Sequence, residues 1–303
     1  MLTPEQIAER KNYIGASEAG AVLGLSHWRS PMEVWAEKTS KVEHENIDDK
    51  LHIKLGNALE DFVGRLFMDE TGKKVHRVNK TLYHPKYPFI ACNLDRMVYG
   101  ENVPLEIKTA GEFMANEWKG DDAPPEYVVQ VLHQLAVTGA PYAYIAVLIG
   151  NRDFKHKVIE RDEDMISNIV QREVEFWTKF VEPKVMPHVT KRDDKVLNKM
   201  FAEAVDEVVP LNDDARRIVE SLQAYQADGK VVDGNIDRLK NELKAMLGEK
   251  LGGTTGDWRI LWKPEVQNRV DMVKFKKEQP ELYAKYCKET KFRKLYIKSV
   301  KEA

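Results

Sequence analysis

Asp95, Glu106 and Lys108 are the residues of this sequence whose types and spacing most clearly allow chemistry. Glu106 and Lys108 stand two apart in the run VPLEIKTA (103–110). On a strand they would share one face. Asp95 lies where the preceding apolar run, FIACNLDRMV (89–98), is ending, so a tight connection would bring it beside them. Two carboxylates converging on one face can hold a hard divalent ion such as Mg²⁺, with a backbone carbonyl and waters completing an octahedron. A neighbouring lysine would offset developing negative charge or help deprotonate an attacking water. Glu-x-Lys is itself a common tripeptide: Glu9/Lys11, Glu182/Lys184, Glu242/Lys244 and Glu289/Lys291 repeat it in helix-like or polar segments. The copy at 106–108 differs because it interrupts an apolar strand, Val103, Leu105 and Ile107, where buried charge is costly without a counter-ion.

Further polar residues stand on elements that could carry them to the same place. Glu60 lies in a helical pattern with Leu59, Phe62 and Val63, where a solvent-facing glutamate is an equal reading. Tyr127, Gln130 and Gln134 follow one another at about one-turn intervals on a segment closed by Gly139, and the spacing to Tyr127 favours Gln130 as the functional glutamine. Ser17 reads as a helix N-cap whose backbone N–H groups would form an anion site, with Arg10 adding a charge-assisted contact. Simple capping and a solvated surface charge are the plainer readings of these two.

The elements that must position these residues are legible from punctuation and period. Thr3-Pro4 starts a short helix ending near Tyr13, and Ser30-Pro31 starts another. Residues 54–71 repeat apolar positions at helical spacing up to Gly72. The period then changes. Strands are expected at 74–83, 89–98 and 103–110, a helix at 126–138, strands at 143–149 and 155–159, and a long helix at 163–181. This order gives a mixed α/β core. Residues 182–210 read as a linker or surface segment. Beyond them come helices at 213–228 and 234–251, a turn at 252–256, a strand at 258–262, a helical stretch at 270–288 interrupted by Pro280, and a final strand at 292–297. The expected division is a core over 1–195 and an α+β extension over 196–303.

Composition narrows the function classes. The 303 residues carry a formal charge of −2, which excludes a globally basic binder but leaves room for a local patch. From Gly229 onward about 18 Lys and Arg face about 11 Asp and Glu, so the basic part is C-terminal. Cys92 and Cys287 are the 2 cysteines, too few for a four-cysteine zinc or iron–sulfur site. No apolar run approaches the length of a membrane span, and the polar N-terminus does not read as a signal peptide, so a cytoplasmic protein is expected. No phosphate-binding Gly-x4-Gly-Lys-Ser/Thr loop occurs, and hence no ATP motor is expected.

The segments Arg10…GASE (15–18), GNALED (56–61), NLD (93–95), EIKTA (106–110) and YVVQVLHQLAVTG (127–139), taken in order, resemble the PD-(D/E)XK nuclease superfamily. More narrowly they resemble the phage exonuclease branch that contains lambda exonuclease and the YqaJ-type viral recombinases. The resemblance covers about residues 8–190; Leu94 stands where the motif's name has proline. It implies a restriction-endonuclease-like core with a mixed central sheet flanked by helices. It implies Asp95 and Glu106 as metal-binding carboxylates with the Ile107 carbonyl as a further ligand, and Lys108 as the catalytic lysine. Glu60 would support the metal and water shell, Gln130 would orient the site, and Tyr127 would assist nearby. Arg10 and Ser17 would bind the 5′-phosphate of a DNA end. The implied activity is Mg²⁺-dependent 5′→3′ resection of linear double-stranded DNA, with Mn²⁺ able to substitute, leaving 3′ single-stranded tails for recombination by annealing. A ring-shaped trimer, a single-strand annealing partner, and phage or prophage origin in a bacterial host are implied too. The rival expectations are a structure-specific endonuclease of the same superfamily and a non-catalytic DNA-end binding module. The C-terminal extension could track DNA or dock a partner, or serve as a structural lid.

Overall fold

A strand that buries a charge in its middle needs other elements to meet that charge, and this chain supplies them. The computed structural model describes residues 9–43, 49–120, 123–289 and 293–297. These divide into two units, residues 1–202 and residues 203–303.

In the first unit, β1 (Ile14–Gly15) leads into α1 (Ala16–Val22). Helix α2 (Pro31–Lys38) follows, then the long α3 (Leu51–Thr71). Short strands β2 (Val75–His76), β3 (Leu82–Tyr83), β4 (Ile90–Cys92) and β5 (Arg96–Val98) precede the longer β6 (Pro104–Ala110). A 3₁₀ segment, Glu112–Trp118, connects towards α4 (Pro125–Thr138). Strands β7 (Tyr142–Ile149) and β8 (Asp153–Glu160) form a hairpin, and α5 (Glu163–Phe176) and α6 (Asp194–Met200) complete the unit.

The central sheet has the order β2-β5-β6-β7-β8, and β1-β4-β3 form a second, smaller sheet. The central pair β6–β7 is parallel, with Glu106 opposite Ile145 and Lys108 opposite Val147, while the outer pairs are antiparallel. Parallel pairing needs a crossover, and α4 is that crossover. Its apolar side joins Leu105, Ile145 and Val147 in the main core, which also takes Val63 and Phe67 from α3. Gly64 of α3 faces Ile107 Cδ1 on the strand that carries Glu106 and Lys108, and a Cβ there would stand 3.6 Å away, in ordinary van der Waals contact.

Several expectations change here. The start expected at Thr3 lies outside the described residues, and the described end of that element is a 3₁₀ turn, Arg10–Asn12. The stretches expected as single strands at 74–83 and 89–98 are each broken in two, and their halves lie in different sheets. Asp95 therefore sits at the crossing between sheets, just before β5, rather than at a strand end. Ser17 is not an N-cap: Gly15 holds that position, and its N–H donates to Glu18 Oε2 at 2.9 Å, which places Ser17 within the first turn. The helix expected over 163–181 passes at Trp177 into a π-helical turn ending at Val181. The expected linker contains α6, whose Val196 buries in a cluster with Trp35 and Phe176. Ser30 does cap α2, accepting from Glu33 N at 3.1 Å.

In the second unit, α7 (Asp213–Leu247) is one helix where two were expected, because Gly229 and Gly234 keep helical backbone. β9 (Gly252–Thr255) pairs with β10 (Trp258–Leu261), so the turn falls at Gly256 rather than across 252–256. Helices α8 (Met272–Glu278) and α9 (Pro280–Tyr286) follow, split at Pro280 as its missing N–H requires. The described residues 293–297 are not a strand. No described helix is long and apolar enough to cross a membrane.

Candidate active site

Glu106 is the centre of the site. It is buried on β6, and an unpaired carboxylate there would be costly. Three donors meet it. Gln130 Nε2 donates to Oε1 and Gln134 Nε2 to Oε2, each at 2.6 Å, and Lys108 Nζ lies 2.6 Å from Oε1. One turn of α4 therefore clamps both carboxylate oxygens. Sequence reasoning preferred Gln130 over Gln134, but the structure brings both to Glu106. Gln130 lines the cleft, while Gln134 is fully buried behind it. The i, i+4 spacing was the signal for the pair.

Asp95 reaches the same place from the sheet crossing. Its Oδ2 accepts from the Ile107 N–H at 2.8 Å, which ties it to the strand residue between Glu106 and Lys108. Burial, and then the neighbouring Glu106 charge, hold the Asp95 carboxyl well above the usual carboxylate range, with Lys108 opposing. Burial works against the Lys108 charge, but Glu106 and Asp95 outweigh it and raise its pKa above the ordinary lysine value. Lys108 Nζ also lies 5.1 Å from the Tyr127 ring centroid, and that ring stacks on Trp118 at 5.6 Å.

The donor chemistry fits a hard divalent cation. Among the described residues no group of three or more His, Cys, Asp or Glu side chains gathers into a metal cluster. Two carboxylates with a carbonyl is the sparse oxygen set that Mg²⁺ accepts, since it keeps several waters. Asp95 and Glu106 set two carboxylates beside one lysine, so the cleft holds more negative than positive charge where a cation would sit.

Glu60, on α3, forms an ion pair with Arg96, and Arg96 Nη2 also reaches Asp61 Oδ1 at 2.5 Å. Glu60 is near enough to contribute to the raised Asp95 pKa, but it does not line the cleft. Sequence reasoning missed Arg96, the buried residue directly after Asp95 that fixes the crossing between sheets.

Arg10 and Ser17 come together in the lining of the same cleft. Arg10 Nη2 donates to Ser17 Oγ at 3.0 Å. Behind them Glu18 is buried among Lys38 Nζ at 2.6 Å, Arg29 at 3.6 Å and Arg10 at 3.7 Å. Burial opposes the Glu18 charge, but Lys38, Arg10 and Arg29 outweigh it and hold its carboxyl far below the usual glutamate range. Glu18 thus orients cations that outnumber it. The cleft, about 250 Å³, is lined by Arg10 and Ser17 together with Asp95, Glu106, Lys108 and Gln130. Tyr13 and Asn93 also line it, with Asn93 Nδ2 donating to the Tyr13 hydroxyl at 3.3 Å.

The model of the YqaJ-like viral recombinase domain matches residues 7–141, a span holding all these residues. The uncharacterized protein YqaJ of Bacillus subtilis (strain 168) is 36% identical over 305 residues, covering 99% of this chain and 95% of that protein. Among solved structures, the alkaline exonuclease LHK-Exo of Laribacter hongkongensis superposes with a TM-score of 0.51 at 22% identity, covering 60% of this chain and 94% of that one. Its complex with dAMP gives a TM-score of 0.51 at 21% identity, covering 64% and 98%. The structural likeness establishes the fold as PD-(D/E)XK-like. With a relative this similar over nearly the whole length, the chain belongs to the YqaJ-like viral recombinase family.

Proposed function

We propose that this protein is a metal-dependent exonuclease that resects linear double-stranded DNA from 5′ ends and leaves 3′ single-stranded tails. One observation carries the reading: a single cleft of about 250 Å³ is lined both by two carboxylates and a lysine and by an arginine–serine pair. An end-dependent phosphodiesterase needs both in one cleft, an anion anchor and the reacting groups.

Asp95, Glu106 and the Ile107 carbonyl would hold Mg²⁺, or Mn²⁺ in its place. When bound, the cation supplies Lewis-acid activation of the scissile phosphate and of water. The protein's own groups do the rest. Gln130 and Gln134 fix Glu106 so that its carboxylate cannot rotate away. The Lys108 ammonium offsets negative charge that grows on the phosphoryl oxygens, and the Tyr127 ring steadies it. Arg10 and Ser17 take the terminal 5′-phosphate by charge-assisted hydrogen bonds, which selects the bond to be cut. Arg96, Glu60 and Asp61 keep Asp95 at the sheet crossing.

The recombinase family and the fold of an alkaline exonuclease agree with this reading. Family resemblance adds a ring-shaped trimer, a single-strand annealing partner, and action in the cytoplasm of a bacterium carrying the phage or prophage. The test is Arg10→Ala with Ser17→Ala on linear duplexes bearing a 5′-phosphate or a 5′-hydroxyl. The expected outcome is loss of the preference for phosphorylated ends, with slow cleavage retained. Wild-type protein that nicks covalently closed circles as fast as it shortens linear DNA would make it an endonuclease instead.

A further inference from the structure

The long helix of the second unit carries a seam that nothing in the proposed chemistry uses. Helix α7 runs 35 residues, about 50 Å, and none of its residues is buried. A polar helix of this length with two interior glycines, Gly229 and Gly234, needs a partner to persist. Most of its large apolar residues follow a heptad, with Val219, Val231 and Leu247 outside it. Ala215, Leu222, Gly229, Ile236 and Leu243 fall at one core position of the repeat. Ile218, Tyr225, Val232, Leu239 and Met246 fall at the other. From Ile218 to Met246 every such residue except Gly229 is among the exposed large hydrophobics. Alternating steps of three and four over five heptads make a surface that fits another helix by knobs-into-holes packing, and fits a flat or irregular surface poorly.

The sequence of the seam selects the partner. Laid antiparallel on a second copy, each first-position residue faces a second-position residue. Ala215 meets Met246, Leu222 meets Leu239, and Gly229 meets Val232, so the smallest residues sit opposite larger ones. The flanking positions then bring Gln226 against Asp233, Asp228 against Asn235, Ser221 against Glu242, and Val219 against Lys240, with no like charges opposed. A parallel pair would stack Gly229 on Gly229 and leave a gap. It would also set Asp228 against Asp233 on both sides. We propose that α7 is a self-association helix that pairs antiparallel with α7 of a second copy of this chain. Such a pair has two-fold symmetry, so it cannot close within a ring of three; if the core forms that ring, α7 joins two rings.

The test uses the full chain. In a Cys287→Ser background, which leaves only the buried Cys92, Leu222→Cys and Leu239→Cys proteins are oxidised separately and after mixing. The proposal expects a disulfide-linked dimer in the mixture and none in either sample alone. It also expects the particle mass in light scattering to fall two-fold in the variant Leu222→Asp/Leu239→Asp, with cleavage of short linear DNA retained. Cross-links in the Leu222→Cys sample alone would mean a parallel pair. A mass equal to wild type, with no cross-link in the mixture, would mean that α7 is covered by its own chain or by another protein. Either result overturns the proposal.

Discussion

At the scale of single residues, Glu106 joins most of the site together: two glutamines and a lysine converge on its two oxygens. Removing one donor leaves a buried carboxylate oxygen short of a partner, which costs about 1.5–3 kcal/mol for a charged acceptor. Gln134→Ala is therefore expected to slow cleavage by roughly 10- to 100-fold although Gln134 does not line the cleft, and Gln130→Ala by less, because Lys108 Nζ still meets Oε1. The double variant should lose less than the product of the two, because both act through one group; single-turnover cleavage rates check this. Asp95 gives a second prediction. Burial and Glu106 disfavour its charge, so Asp95→Asn should raise the melting temperature in EDTA while abolishing cleavage. Added Mg²⁺ should stabilise wild type and leave that variant unmoved. A thermal-shift titration reads both. Asp95, Glu106 and Lys108 were legible in the sequence because charge in an apolar strand is conspicuous. Arg96 was not, because an arginine beside an aspartate looks like surface until the sheet crossing buries it.

At the scale of elements, α4 is the crossover on which the site depends, and His133 fixes it. The ring is fully buried, with Nδ1 2.7 Å from Glu173 Oε1 on α5 and Nε2 3.0 Å from the Ala91 carbonyl on β4. Both ring nitrogens face acceptors, so the imidazolium satisfies both. Burial opposes that charge, but Glu173 and the Ala91 carbonyl outweigh it and raise the His133 pKa. A histidine raised in the fold contributes fully below its unfolded value of about 6.5, and that contribution is lost as pH climbs through the folded value. His133→Leu should cost about 3–5 kcal/mol at pH 6, because it leaves Glu173 buried and unpaired, and the difference from wild type should shrink in alkali. Urea unfolding at a series of pH values measures it. The helices around this site were readable from their punctuation: Ser30-Pro31 at the start of α2, Gly72 after α3 and Gly139 after α4. The sheets were less so. Apolar alternation continues through residues 89–98, and nothing local announces that the chain changes sheets at Asn93–Asp95. Likewise Gly229 and Gly234 read as breakers, yet α7 passes through both, since glycine in a helix costs only about 1 kcal/mol.

At the scale of the whole molecule, the proposed chemistry belongs to residues 1–202, and the excess of basic charge belongs to the C-terminal stretch from Gly229. Removing residues after Ala202 should flatten the dependence of DNA binding on salt, because fewer phosphates are neutralised, while cleavage of short linear duplexes continues. Equal slopes for both proteins would assign that charge to solubility or partner binding. The central claim is that one cleft both recognises a 5′ end and cuts beside it. Its most direct test is a duplex labelled at the 3′ end of one strand, prepared with either a 5′-phosphate or a 5′-hydroxyl. This DNA is incubated in Mg²⁺ with wild type or Lys108→Ala. The account predicts progressive shortening from phosphorylated ends by wild type and none by the variant. DNA that is bound and retarded by wild type but never shortened, in Mg²⁺ or Mn²⁺, would contradict it.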